Sequence, residues 1–493
     1  MNHCVCCLKS ISKLHSFLYL LLLTFLAHSG NAQTETPLPV YPIPTEAQLQ
    51  WHEMEQYAFI HFTINTFTNK EWGFGDESPL LFNPEKLDVV QWVDVIHQAG
   101  LKGIILTVKH HDGFCLWPTA YGSHSVKNSP WQNGGGDLVK MVSEACKAQG
   151  LKFGVYLSPW DRNHSAYGTP AYIEYYRNQV HELANNYGPI FEWWLDGANG
   201  GDGYYGGSHE TRRIDGRTYY DWFETIRLIK KDQPEVLIFS DAGPDIRWVG
   251  NESGFAGKTN WNCLTTDTLY AGKPGISELL GLGEPDGKSW IPAEVDVSIR
   301  PGWFYHQSED SLVKTPQQLF DIYLTSVGRG ANLLLNIPPD RRGLIHENDV
   351  KVLTTWRQLI DSAFSINLAK TAIITANNFR GNDPRFASSN LNDNNPETYW
   401  ATNDNQLSGT VYITFDHPTL IHYVLLQEFI RLGQRINSVE IEYKYKDQWK
   451  PLSSATTIGY KRIVKFEPVT TSALRIRIAS DKACPVVSNI EVY

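Results

Sequence analysis

Ile190-Phe191-Glu192-Trp193-Trp194-Leu195-Asp196-Gly197 is a largely apolar run that ends in a carboxylate and opens into a glycine-rich loop. It reads as a buried strand with a lone acid at its C-terminal end. Barrels of alternating strands and helices place their catalytic residues there. A carboxylate flanked by tryptophan suits attack on a sugar: the acid does the chemistry and the aromatic ring holds the apolar face. A strand-end aspartate also serves as a helix cap. The chemical reading gains weight because the other predicted strands end in similar side chains.

Working outward, short apolar runs alternate with helical segments from about residue 50 to 345. The strand candidates are Tyr57–Phe62, Gly103–Val108, Phe153–Ser158, the Asp196 strand, Val236–Asp241 and Ala331–Ile337. Helical stretches at Pro84–Gly100, Asp137–Gly150 and Pro170–Tyr187 separate the first four, with glycine closing the first two. Continuous apolar strands separated by helices indicate a parallel sheet covered on both faces. Their number predicts an α/β fold, a (β/α)8-type barrel, with strands six and seven weakly marked between Tyr270 and Pro316. After about residue 365 the texture turns to β-type alternation, at Gly409–Phe415, Tyr423–Gln427, Ser438–Tyr445 and Ala473–Ile478, which predicts an all-β sandwich. No low-complexity linker divides the halves, so the two domains are expected to pack together.

The chain has 493 residues, more than one core holds, and a formal net charge of −10 that argues against nucleic acid as a partner. Aromatic richness, with 16 Trp and 24 Tyr, fits a neutral ring-shaped ligand. Lys9 and Lys13, the apolar stretch Phe17–Leu26 and the small-residue site Gly30-Asn31-Ala32 read as a secretory signal. That stretch is too short to span a bilayer, so the expectation is export to the periplasm or medium with no membrane span. Cys115, Cys146, Cys263 and Cys484 follow the leader, and their pairing is not decided by spacing. The domain expectation is a signal peptide over 1–32, a barrel over 33–345, a connecting helix over 346–364 and a sandwich over 365–493.

Lys109-His110-His111-Asp112-Gly113-Phe114 follows the second strand directly. A neutral imidazole offers one donor and one acceptor to sugar hydroxyls. A metal site built from His61, His110, His111 and Asp112 is the competing reading. It is disfavoured because successive strand side chains point to opposite faces, so no metal or cofactor is expected. His61 ends the first strand, Glu71-Trp72-Gly73 lies in the next loop, and Tyr156 and Trp160-Asp161 end the third. Glycoside hydrolysis needs a second carboxylate beside Asp196. The first candidate is Glu252, in Arg247-Trp248-Val249-Gly250-Asn251-Glu252, read as the loop after the fifth strand. The fallback is Glu294, whose alternation with Asp296 and Ser298 ahead of Arg300 suits a structural salt bridge better than a proton donor.

Together, His61-Phe62, Glu71-Trp72-Gly73, Lys109–Phe114, Gly154–Asp161 and Trp194-Leu195-Asp196-Gly197-Ala198 resemble the α-L-fucosidases of glycoside hydrolase family 29. The resemblance spans about residues 50–345. It implies a retaining mechanism through a covalent fucosyl-enzyme, with Asp196 as nucleophile and Glu252 as acid/base. It further implies a substrate pocket of His61, Glu71, Trp72, His110, His111, Tyr156, Trp160, Trp194, Arg247 and Trp303. The segments Arg247–Glu252 and Ser298–Phe304 resemble the subfamily acting on α-1,3/1,4-linked fucose in branched, Lewis-type glycans. The partner would then be a fucosylated oligosaccharide or glycoconjugate. A long insert, Gly200–Gly216, departs from the pattern and reads equally as an aglycone wall or a surface loop. Asn392–Asn395, Thr398–Ala401, Leu426–Glu428, Leu432–Arg435 and Ile490–Tyr493 resemble a discoidin-like, galactose-binding β-sandwich. Gln427, Glu428, Gln434 and Arg435 are read there as domain-interface residues rather than sugar ligands. A fucosidase of broader linkage specificity, a glycan-binding protein without catalysis and a metal-dependent hydrolase are the alternatives.

Overall fold

The computed structural model describes residues 34–493, so the leader read over residues 1–32 lies outside the described residues. Eight parallel strands close into a barrel in chain order: β1 Gln56–Ile60, β2 Gly103–Lys109, β3 Lys152–Leu157, β4 Glu192–Trp194, β5 Leu237–Ser240, β6 Ile246–Trp248, β7 Ala293–Ser298 and β8 Asn332–Asn336. Seven helices matter for the site: α1 Glu46–Met54, α2 Val89–Gln98, α3 Leu138–Gln149, α4 Pro170–Asn186, α5 Trp222–Asp232, α6 Pro316–Thr325 and α7 Glu347–Ala363.

Local signals explain where the helices begin and end. Asp88 and Asp137 accept backbone N–H bonds at the starts of α2 and α3, and Gly150 takes a left-handed φ of 72° just past the end of α3. The first helix is shorter than the predicted Pro84–Gly100, because its cap is Asp88.

Strand alternation sorts the barrel residues into two sets. Ala58, Ile60, Ile104, Leu106, Val155, Trp193, Leu195, Val295 and Val297 pack under the helices. Tyr57, Phe59, Ile105, Tyr156, Trp194, Phe239, Ile246 and Leu334 fill the interior. By that parity Asp196 and His61, two positions beyond Trp194 and Phe59, point into the mouth.

The irregularity lies elsewhere than expected. β6 directly follows β5 through a five-residue turn with no helix, well before Tyr270, and only β7 falls in the weakly marked window. Three residues are too few to show a period. β7 hides its apolar period because its inward positions are Glu294, Asp296 and Ser298.

The second domain is an antiparallel sandwich. Its strands are β9 Ile373–Ala376, β10 Trp400–Ala401, β11 Ser408–Glu428, β12 Ile436–Tyr445, β13 Gln448–Ala455, β14 Arg462–Ser480 and β15 Val486–Val492. Two of the predicted strands, Gly409–Phe415 and Tyr423–Gln427, belong to the single long β11, which changes register between Thr414 and Thr419. Trp400, Val411, Ile413, Leu426, Ile441, Leu474, Ile476 and Ile490 form its core. Gln434 ties the domains together: Asn262 N–H donates to its Oε1 at 2.7 Å and its Nε2 donates to the Asn260 carbonyl at 3.0 Å. Glu428 instead holds loops of its own domain by accepting from the backbone of Arg435, Ile436 and Gly459, whereas Arg435 donates both to the Cys484 carbonyl and, across to the N-terminal segment, to the Leu38 carbonyl. Cys115, Cys146, Cys263 and Cys484 are buried and unpaired. Among the described residues no helix is long and apolar enough to cross a membrane.

Candidate active site

Asp196 stands just past β4 at the barrel mouth. Its Oδ1 accepts the Ala198 N–H at 2.6 Å, and its Oδ2 accepts the Tyr156 hydroxyl at 2.9 Å from the end of β3. Gly197 lets the chain turn here: a Cβ at that position would lie 2.1 Å from Oδ2 of Asp241. Beneath Asp196, the Trp194 indole stacks on Phe239 with ring centres 4.1 Å apart and tilts against Tyr156 at 5.3 Å. These rings make an apolar floor.

Three histidines line the same mouth. A register shift between Thr107 and Lys109 ends regular alternation in β2, so His110 and His111 both reach the site, with ring centres 4.2 Å apart. Lys109 turns instead into the helical layer, where Asp161 and Gln179 hold it. His110 stacks on Tyr156 at 5.6 Å. Burial pushes the imidazole of His61 down to about 3 and that of His111 down to about 4, so both are neutral near pH 7.

Their tautomers follow from their partners. Asn336 spends its Nδ2 protons on Ser298 Oγ and the Trp303 carbonyl, so its Oδ1 must accept from His61 Nδ1, 2.8 Å away. Ser158 Oγ donates to the Trp160 carbonyl and so accepts from His111 Nδ1 at 2.7 Å. Each ring thus keeps a bare Nε2 lone pair as a hydroxyl acceptor. That of His111 lies 3.8 Å from Asp196 Oδ2.

Across the mouth, Glu71 anchors the loop after β7. It accepts the N–H groups of Trp303 at 2.8 Å and Phe304 at 3.1 Å and meets His306 Nε2 at 2.6 Å. The anchored Trp303 tilts toward His61 at 5.2 Å and points its Nε1 at Glu252 Oε2, 3.3 Å away. Desolvation by the rim raises the Glu252 carboxyl above the usual carboxylate range. The Trp303 N–H opposes this, and the negative charges of Asp196 and Glu71 add to it. Trp72, 53% exposed, stands on the outer rim edge-on to His111.

Two expected ligands, Arg247 and Trp160, and the fallback acid/base Glu294 sit elsewhere. Arg247 lies on β6 itself, not in a loop. Alternation turns it outward, where it is fully buried and donates to the carbonyls of Leu280, Ile291 and Trp261 and to Asn260. Trp160, 3% exposed, spends its N–H on Tyr205 at 3.0 Å and backs His111 rather than facing the mouth. Glu294 forms no salt bridge and does not reach the mouth: it is sealed inside the barrel, accepting from Trp194 Nε1 at 2.8 Å. Arg300 pairs instead with Asp349 and Asp310.

The 200–216 insert packs behind Trp160, through Tyr205. Its hairpin Gly201–Gly203/Glu210–Arg212 is held by Arg162, which donates to the Asp202 carbonyl at 2.8 Å, and by the fully buried Tyr205.

Sequence reasoning missed Asn336 and Ser158, which orient His61 and His111 from behind, and Asp241, which abuts Gly197 beside Asp196. Burial, and the charge of Asp196, push Asp241 up to about 6. Its only sequence signal was its place at a strand end. Among the described residues no group of three His, Cys, Asp or Glu side chains is placed to hold a metal.

A barrel mouth with a strand-end aspartate, a raised glutamic acid, neutral histidines and an aromatic floor is the architecture of a glycoside hydrolase. The α-L-fucosidase family pattern matches residues 39–360 and the F5/8 type C (discoidin-like) domain pattern matches residues 373–492. The chain belongs to the α-L-fucosidases of glycoside hydrolase family 29. It is 41% identical to alpha-L-fucosidase 1 of Arabidopsis thaliana over 97% of this chain and 92% of that protein. A glycoside hydrolase 29 family member from an unknown rumen bacterium superposes with a TM-score of 0.82 at 44% identity, covering 93% of this chain and 78% of the other. A Ruminococcus gnavus family 29 fucosidase in complex with fucose superposes with a TM-score of 0.85 at 33% identity, covering 94% and 97%.

Proposed function

We propose that this chain is an exported, retaining exo-α-L-fucosidase that removes α-1,3/1,4-linked fucose from branched, Lewis-type glycans. Its leader would occupy 1–32, the barrel 33–345, the connecting helix 346–364 and the sandwich 365–493. The observation that carries the reading is the pairing of roles at the mouth. Asp196 is held in place by the Tyr156 hydroxyl and the Ala198 N–H, while burial on the facing rim raises the Glu252 carboxyl.

In this reading Asp196 Oδ attacks the anomeric carbon as the Glu252 carboxyl gives its proton to the departing glycosidic oxygen. A fucosyl ester forms on Asp196 and the aglycone leaves as an alcohol. Glu252, now ionised, takes a proton from water as that water's oxygen displaces Asp196, and fucose departs with its configuration retained. Such a mechanism calls for carboxyls about 5–5.5 Å apart. His61 and His111 accept sugar hydroxyls through Nε2, and Trp194 underlies the ring. The closed aromatic floor supports action on a terminal residue only.

The test is fucose release from a Lewis-type trisaccharide, an α-1,2-fucosylated glycan and an aryl fucoside, by wild type and Glu252→Ala. Release from the Lewis glycan, lost in the variant, supports linkage class and acid/base together. Cleavage of all three overturns the linkage assignment. Activity that survives in the variant overturns the acid/base assignment.

A further inference from the structure

Directly below the sugar floor lies a polar cluster that the reaction does not use. Trp51 of α1, Tyr57 of β1, Glu192 of β4 and Glu294 of β7 meet inside the barrel, each 1% exposed or less. Trp51 Nε1 lies 2.9 Å from Tyr57 Oη and 3.0 Å from Glu192 Oε2. The Tyr57 hydroxyl lies 3.0 Å from Glu192 Oε2 and also contacts Glu294 Oε2. The remaining oxygen of Glu294 accepts from Trp194 Nε1 at 2.8 Å.

The hydrogens can be counted. No lysine or arginine is among the partners of either carboxyl, and two bare charges in a dry interior would be very costly. One added proton removes the conflict. Glu294 donates through Oε2 to Tyr57 Oη, and Tyr57 donates to Glu192 Oε2, which also receives Trp51 Nε1. Glu294 Oε1 is then left free for Trp194. Glu192 Oε2 already receives two donors, so the added proton falls on Glu294; burial raises both carboxyls, and the charge of Glu192 raises Glu294 further. Glu192 Oε1 has no hydrogen-bond partner among the described residues.

We propose that Glu294 is a positioning residue that locks the plane of the Trp194 indole and, through it, the end of β4 that presents Asp196. Trp194 has one polar atom, and Glu294 takes it; the ring faces are held by Phe239 and Tyr156, and Tyr156 in turn holds Asp196. A single hydrogen bond across the barrel therefore sets the rotation of a ring at the base of the sugar site. This rests on the proposed roles of Asp196 and Trp194. A neutral Glu294 that donates once and accepts once has a near-isostere in glutamine, whereas a proton-transferring Glu294 has none.

The experiment compares kcat and KM on an aryl fucoside for wild type, Glu294→Gln, Glu294→Leu and Trp194→Phe. Beside them it records the indole N–H signals of isotope-labelled tryptophan, with Trp194 assigned by its loss in Trp194→Phe. Glu294→Leu is expected to lower kcat by about 10²-fold, the scale of a 1 Å misplacement at a reacting centre, with KM changed far less, and to shift the Trp194 signal upfield. Glu294→Gln is expected to keep that signal and restore kcat to within about fivefold, since a neutral acceptor replaces a neutral acceptor. Should the leucine variant not fold, Trp194→Phe removes the same bond from the other side and is expected to lower kcat likewise. Glutamine as defective as leucine would overturn the proposal, and so would leucine or phenylalanine variants with kcat unmoved. A wild type that releases no fucose overturns the functional reading and the catalytic part of this one together. An active wild type whose Trp194 signal ignores Glu294→Leu overturns this one alone.

Discussion

The Tyr156 hydroxyl donates to Asp196 Oδ2 at 2.9 Å while Tyr156 itself is almost fully buried, so the strand-end carboxylate is oriented by a side chain that cannot swing away. Burial and the charge of Asp196 hold the phenol protonated, as a donor. Tyr156→Phe should lower kcat/KM on an aryl fucoside by about 10–100-fold, the worth of a hydrogen bond to a charged group at about 1.5–3 kcal/mol. The folded state should change little. Steady-state kinetics beside thermal melting checks this, and full activity in the variant would show that Asp196 needs no such restraint.

Trp303 controls the acid. Its N–H favours the ionised form of Glu252, so Trp303→Phe should raise that carboxyl further. A general acid works only while protonated, so activity is lost as pH rises through its pKa. The alkaline limb of kcat/KM should therefore move to higher pH in Trp303→Phe, while the acid limb stays in place. A pH–rate profile on a substrate with a poor leaving group decides it, and an unmoved alkaline limb would remove Glu252 from the role.

Gly197 and Asp241 form a tight pair. Gly197→Ala would put a methyl 2.1 Å from Asp241 Oδ2, which also accepts the Gly272 N–H at 2.7 Å. Strain from overpacking is about 1–3 kcal/mol, and here it falls next to Asp196. Loss of kcat in Gly197→Ala with partial recovery in Gly197→Ala/Asp241→Ala is expected. Equal loss in both would place the strain in the backbone instead.

Arg247 supports the fold. Arg247→Leu strips a buried donor from three carbonyls and Asn260, and should lower the melting temperature by an amount matching roughly 2–4 kcal/mol. KM for an aryl fucoside in the folded fraction should not change. A raised KM with an unaltered melting temperature would return Arg247 to the sugar.

How far the chain discloses itself can be traced through single residues. Side-chain alternation over Glu192-Trp193-Trp194-Leu195-Asp196 is a local property. It sorts inward from outward positions and is written in residue types, so the barrel, its mouth and Asp196 could be read from the chain. So could Asp137 and Gly150 as helix ends, because capping needs only neighbours along the chain. The same rule failed for Arg247. Its strand is three residues long, too short for any period, and proximity to Glu252 suggested a shared site that alternation then denied. Histidines 110 and 111 share the mouth because a register shift in β2 suspends alternation, and that shift arises from pairing with β3. Periodicity says which face a side chain takes and is silent on what stands opposite. The Asn336 that fixes the His61 tautomer is 275 residues away, and the Trp194 that claims Glu294 is 100 residues away. Only closure of the barrel brings those atoms together. Closure of the barrel also seals Glu294 in its interior and leaves Glu252 at the rim.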